Sequence, residues 1–370
     1  MTAAPRRIAA LRIALTLLLA WAAASACVVL HTPLPWMIGP LMATAVLSMP
    51  GVPTASWTPV RHAGQWVIGC ALGLYFTPQV VALVLGLWWA IAVNIVWALA
   101  LGLAFGSLLQ RVHQRPGRFH IPGLSRTTTY FAGPIGAASE MTLMAERHGG
   151  QTDLVAASHS LRVLLVTLVI PFGLQWAGLQ GLDTSLPGPR AVQWPGLVWL
   201  ALLTGLGCLA MAKLKRTNPW FIGALAVSLL LTASGVSLSS VPQPLTNAAQ
   251  LVIGVSLGVR FTRGFVHQAP HWLASVALAT LGMIALCGAV AWLLAQFAHL
   301  HWATLLLGTS PGGIAEMAIT AKVLQLGVPI VTAFHVTRLA AVLLLVEPMH
   351  RWLGLAHPTA LPCSCHKKNG

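Results

Sequence analysis

Pro311-Gly312-Gly313-Ile314-Ala315-Glu316-Met317 is followed by His335, nineteen positions beyond the glutamate, and then by Arg338. The same order stands 176 residues earlier, where Gly133-Pro134-Ile135-Gly136 leads to Glu140-Met141, then His159 and Arg162. The whole chain has only six acidic residues, so two of them in register with a repeated His and Arg argue for duplication. All of these charges sit in apolar sequence. Charged groups in hydrocarbon are costly and mark a functional pathway or a structural ion pair.

Composition agrees with a membrane setting. The residues are 57% hydrophobic and 7% charged, against roughly 25% charged in ordinary soluble domains. Many apolar runs reach the length of about 20 residues that crosses a bilayer core. The longest hydrophilic stretches, about 110–126 and 357–370, are too short for a soluble domain. The formal charge of +15 invites a nucleic-acid reading. However, Arg111, Arg115, Arg118 and Arg126 flank apolar segments, as the positive-inside rule expects, so direct nucleic-acid binding is not expected. Cys27, Cys70, Cys208 and Cys287 lie in apolar runs as small hydrophobes. Cys363, Cys365 and His366 form a weak metal-ligand pattern in a tail expected to be disordered. Arg6, Arg7 and the apolar run before Cys27 resemble a signal peptide. The preferred reading is an uncleaved first helix, because the second half has a matching segment at 191–212.

Further blocks recur. Pro35-Trp36-Met37-Ile38-Gly39 matches Pro219-Trp220-Phe221-Ile222-Gly223. Gln65-x-x-Ile68-Gly69-x-x-Leu72-Gly73 matches Gln250-x-x-Ile253-Gly254-x-x-Leu257-Gly258. Loop charges then alternate between the halves. The connection carrying Arg111 to Arg126 corresponds to the uncharged His299-Leu300-His301, whereas His31-Thr32-Pro33 corresponds to Lys213-Leu214-Lys215-Arg216. Phe76-Thr77-Pro78 corresponds to a loop with Arg260 and Arg263, and Arg61 to an uncharged stretch near Pro242. Equivalent loops thus belong on opposite sides of the membrane, and the repeats are expected to be inverted.

The expected fold is an all-α polytopic membrane protein of two inverted repeats, 1–182 and 183–356, followed by a cytoplasmic tail at 357–370. Helices are expected at about 8–31, 33–50, 62–77, 79–109 and 153–176, then at 191–212, 218–236, 247–261, 269–298 and 328–346. Segments 127–148 and 303–323 are expected to be broken or re-entrant, with breaks at Gly133, Pro134, Gly136, Pro311, Gly312 and Gly313. Both termini are expected in the cytoplasm.

Interrupted segments at corresponding places in inverted halves point to the binding site of a secondary transporter. Unwound backbone survives only where protein or a water-filled cavity covers it. The competing reading is close helix packing by glycine. His159 and Arg162 share a helix face, as do His335 and Arg338. The arginines suit clamping an anionic group or neutralising Glu140 and Glu316, and the histidines suit proton relay. Substrate site and structural ion pair stand beside each other as readings. Gln65 and Gln250 are candidates to line the same cavity or to bond between helices.

On these motifs the chain resembles the AbrB family of duplicated bacterial membrane proteins. These are also carried as aidB regulators, AbrB family transcriptional regulators or ammonia monooxygenases, and are unrelated to the small soluble DNA-binding protein of the same name. The resemblance runs from about residue 10 to 350 and is carried by the Pro-Trp-x-Ile-Gly blocks, the Gln-x-x-Ile-Gly blocks and Pro311–Met317. It implies membrane location and, by the family's name, an effect on gene expression. Ile135-Gly136-Ala137 in place of Pro-Gly-Gly implies a milder break in the first half. The family is similar in broad pattern to cation/proton antiporters with inverted broken helices, an analogy of fold alone.

Three functions compete. A secondary transporter of a small polar or ionic solute ranks first and a membrane-embedded regulator second. An oxygenase ranks last, because each repeated His sits beside an Arg that opposes a bound metal. No enzyme activity and no cofactor are expected. The expected partners are the lipid bilayer, a small-molecule or ion substrate and, as an option, a second copy in a homodimer.

Single-cysteine labelling in intact cells, with native cysteines replaced, checks the topology. Cysteines at Arg118 and Lys215 should be shielded from an impermeant reagent, and those at His301 and Pro242 labelled. Labelling at Arg118 would reverse the assignment.

Overall fold

Among the described residues, prolines and glycines punctuate the chain into fifteen helices, and no strand occurs. The computed structural model describes residues 3–115, 120–136, 138–179, 191–216, 218–263 and 270–354. Arg118, the boundary between the expected repeats at 182/183, and the tail at 357–370 with Cys363, Cys365 and His366 lie outside the described residues.

The first half runs α1 (Ala3–Val29), α2 (Pro35–Ser48), α3 (Thr58–Gly73), α4 (Pro78–Gly86), α5 (Trp88–Gln114), α6 (Arg126–Ala132), α7 (Ala138–Arg147) and α8 (Thr152–Trp176). The second runs α9 (Trp194–Lys213), α10 (Pro219–Ala233), α11 (Gln243–Gly258), α12 (Pro270–Ala298), α13 (Trp302–Thr309), α14 (Ile314–Val323) and α15 (Val328–Trp352). Six helices, α1, α5, α8, α9, α12 and α15, are long and apolar enough to cross a membrane. Leu18, Trp88, Trp194, Leu278 and Leu344 are among their exposed side chains, a surface suited to lipid.

The helices expected at 33–50, 62–77, 218–236 and 247–261 form as α2, α3, α10 and α11, each 14 to 16 residues long. One expectation needs correction. The segment expected as one helix over 79–109 divides at Leu87 into α4 and α5. α4 also bends 87° from α3, at the point where Pro78 cannot continue a helix and Thr77 caps the new one.

Matched sequence blocks adopt the same unusual backbone. His31 and Leu34 before α2 have φ of 52° and 48°, and Lys215 and Asn218 before α10 have 51° and 52°. Gly149 and Gln325, 176 residues apart, likewise share positive φ. Non-glycine residues seldom adopt this conformation unless their surroundings impose it.

Packing also follows a reciprocal scheme. Helices α1–α3 and α9–α11 form one bundle in which α3 lies on α10 and α2 on α11. Helices α5–α8 and α12–α15 form a second, in which α8 lies on α12 and α15 on α5. The main seams of the first bundle are made by glycine. A Cβ at Gly73 would overlap the Ser228 hydroxyl and come within 2.8 Å of the Leu225 carbonyl oxygen. A Cβ at Gly258 would overlap the Thr44 hydroxyl and come within 2.6 Å of the Leu41 carbonyl oxygen. The two hydroxyls are satisfied within their own helices, Thr44 donating to Pro40 at 2.6 Å and Ser228 to Ala224 at 2.7 Å.

Gly73→Leu and Gly258→Leu should each destabilise the protein by about 1–3 kcal/mol, the usual cost of overpacking. Gly288→Leu, which faces open space in α12, should be tolerated. Thermal unfolding in detergent compares the three.

Candidate functional site

The two interrupted segments meet in the second bundle. Residues 133–136 separate α6 from α7, with Gly136 at φ 109°, and residues 310–313 separate α13 from α14. The first break is therefore no milder than the second, although it lacks the Pro-Gly-Gly sequence. Gly136 supplies a positive φ there, a conformation that no residue of the second break adopts.

A helix that stops leaves its last carbonyls without partners. Both His–Arg pairs supply them. The Arg162 guanidinium donates to the carbonyl oxygens of Gly133 and Pro134, each at 2.8 Å. Arg338 donates to those of Ser310 at 2.6 Å and Gly312 at 2.9 Å. His159 Nε2 donates to the Phe131 carbonyl at 2.9 Å, and His335 Nε2 to the Leu307 carbonyl at 2.8 Å. A carbonyl only accepts, so each Nε2 bears the hydrogen. Each Nδ1 then accepts from the neighbouring arginine, at 2.6 Å in the first pair and 2.9 Å in the second. Both rings are thereby held as one neutral tautomer. A positive charge at the C-terminal end of a half-helix also suits the helix dipole. Phe105 adds a ring face 5.4 Å from the Arg162 guanidinium.

Of the two readings left open, the ion pair of Arg162 and Arg338 with Glu140 and Glu316 does not form in this structure. Among the described residues the ion pairs are those of Glu347 with Arg351 and His148. Backbone oxygens, already desolvated at the breaks, claim the guanidinium donors instead. Both nitrogens of each ring are engaged in these bonds.

The glutamates begin the opposite half-helices, both in the first turn of α7 and α14. Glu316 is buried, while Glu140 is partly exposed. The Glu316 carboxylate folds back over Gly313, the N-cap residue, where a Cβ would overlap it. Such a return of an acidic group to the start of its own helix resembles half of a capping box.

Both breaks face one cavity of about 310 Å³ between the two bundles. Glu140, His159, Arg162, Glu316, His335, Arg338, Gly136, Pro311, Gly312 and Gly313 all line it, as does Gln65. Gly133 and Pro134 contribute carbonyls to Arg162 without lining the cavity, and Gly133 packs tightly on Gly102 of α5. Gln250 does not line it but is buried within α11. The halves are therefore unequal at this point. The sequence reading passed over Arg61, His62, Asn218, Ser256 and Arg260, which also line the cavity. Arg61 and Arg260 were legible only as loop charges. A wider, more open space of about 630 Å³ shares Ala138, Ser139 and Arg260 with the cavity and leads outward past Asp153.

The fold and site define a class, the multi-helical membrane proteins with paired interrupted helices. The family model described as "Transition state regulatory protein AbrB" matches residues 36–354, and the chain belongs to that family. It is similar to the "Putative regulator AbrB" of Escherichia coli (strain K12), 26% identical over 337 residues that cover 89% of this chain and 92% of that protein. It is also similar to the "Uncharacterized protein YhjN" of Bacillus subtilis (strain 168), 23% identical over 346 residues, 87% of this chain and 88% of that one. No solved structure matches.

Arg338→Gln should cost about 3 kcal/mol, because it removes charge-assisted bonds to carbonyls that have no other donor. Glu316→Gln, which breaks no ion pair, should cost much less. Unfolding of the two variants in detergent provides the comparison, and equal losses would restore the ion-pair reading.

Proposed function

We propose that this AbrB-family protein is a secondary transporter of a small polar or ionic solute, bound in the cavity between the two bundles. One observation carries the reading: both helix breaks and both His–Arg pairs converge on a single cavity. Exposed backbone and buried ions are expensive in a membrane, and duplicated examples at one place are the arrangement that transporters use. No chemical transformation and no direct nucleic-acid contact form part of this reading. A homodimer is compatible with it.

The orientation follows from loop charges. The cavity takes Arg61 in the first turn of α3 and Gln65 at its middle, Asn218 just before α10 and Arg260 just beyond α11. Arg61, Arg260 and the Lys213–Arg216 loop are the positive connections assigned to the cytoplasm, with the repeats inverted and the protein in the inner membrane. Gln250 and the Leu34–Pro35 corner, their counterparts from the other half, do not line the cavity. On this assignment the arginine-bearing end of the cavity faces the cytoplasm, as one state of an alternating-access cycle allows.

A second reading rests on the word "regulator" in the names of the family and one relative. A regulatory effect would then arise from the solute moved or from a partner.

Uptake or efflux by the purified protein in proteoliposomes tests the proposal. Gly313→Val, which forces the Glu316 carboxylate out of its position, should abolish transport while leaving a folded protein. If the protein moves no solute from a broad metabolite mixture, and a cavity-blocked variant keeps its effect on expression, the regulator reading gains.

A further inference from the structure

The cavity carries more positive than negative charge. Arg61, Arg162, Arg260 and Arg338 face Glu140 and Glu316, and the hydrogen bonds of His159 and His335 hold both rings neutral. Two positive charges are therefore left without an acidic partner. Arg338 is only 2% exposed, and its Nε is buried without a hydrogen-bond partner. The Nε of Arg61 is buried and unpartnered as well. A donor left in this condition inside a protein calls for an acceptor. At the same place α14 begins at Gly313 with no side-chain cap, and the backfolded carboxylate of Glu316 occupies its N-terminal end. A helix N-terminus flanked by arginines is suited to an oxyanion.

We propose, resting on the transporter reading, that the solute is a small oxyanion bearing a carboxylate or phosphate group, and that Glu316 is the internal carboxylate it displaces. The anion takes the position over Gly313 and accepts from the arginines that face it. Two anions crowded at one helix end repel each other, so Glu316 takes a proton from the adjoining aqueous phase as the solute binds. It returns that proton to water when the solute leaves. One proton accordingly accompanies each anion, with no covalent change in either. The charged and titratable groups around Glu316 are Arg61 and His62 of α3, Arg260 beyond α11, Glu140 of α7, His159 and Arg162 of α8, and His335 and Arg338 of α15. A cation would instead meet the surplus of arginine, and a neutral solute would leave it uncompensated.

The test is equilibrium binding to the purified full chain in detergent, with succinate and inorganic phosphate as probes and tetramethylammonium and glucose as controls. At least one of the anions should bind, and neither control should. Affinity should rise about tenfold for each unit of falling pH while Glu316 is ionised in the free protein, as linkage to one proton requires. Glu316→Gln should make binding insensitive to pH, and Arg260→Gln should weaken it. Should Glu316→Gln fail to fold, proton uptake on adding the anion to wild-type protein in weak buffer gives the same answer, one proton per anion. Binding of the controls but not the anions overturns the proposal, as does anion binding with no proton taken up. Proteoliposomes separate this failure from that of the transporter reading. An anion that binds and never crosses removes transport but keeps the site, whereas a cation or neutral solute that crosses keeps transport and removes the anion assignment.

Discussion

The arrangement depends on two guanidinium groups bonded to the carbonyl ends of interrupted helices. The freed oxygens of each break need donors, because hydrocarbon offers none. Arg162 and Arg338 reach those oxygens from neighbouring helices, each helped by a histidine one turn away. The donors of each arginine are taken by backbone carbonyls rather than by a carboxylate, and its charge remains on the cavity wall. This is what leaves Glu140 and Glu316 unclaimed beside the cavity.

Division of labour between the two bundles follows. The bundle with α5–α8 and α12–α15 contributes the breaks and most of the ionisable groups. The bundle with α1–α3 and α9–α11 contributes a wall bearing Arg61, Gln65 and Ser256, and it is built on glycine seams that bring backbones together. Partners are exchanged between the halves of the chain in both bundles, so neither half could bury its apolar faces alone.

Much of this was legible in the sequence, for particular reasons. Glu140, Glu316 and the His–Arg pairs stood out because charge is rare in this chain and these residues repeat at one spacing. Their partners were not legible. Side-chain types suggest that Arg pairs with Glu, whereas the competing acceptors are main-chain oxygens, which leave no mark in a sequence until the helix ends are known. Arg61 and Arg260 were hidden by a different effect. They sit at helix ends, where positive charge is ordinarily explained by topology, and nothing local separates a loop charge from one turned inward. Gln250 differs from Gln65 in lying outside the cavity, since an equivalent position in a repeat need not have an equivalent environment. Helix lengths failed where Pro78 and Leu87 divide apolar runs that hydropathy alone joins.

The glycine seams have a mechanical consequence. Where Gly73 and Gly258 press main chain against main chain, there are no flexible side chains to take up strain, so the first bundle is stiff. Contacts between the bundles are few by comparison, made mainly by α14 and α15 against α3 and by α4 against α10 and α15. A stiff body joined along a sparse boundary deforms at the boundary. The cavity lies on that line, and α4, set at 87° to α3 and followed at once by α5, is the strap across it.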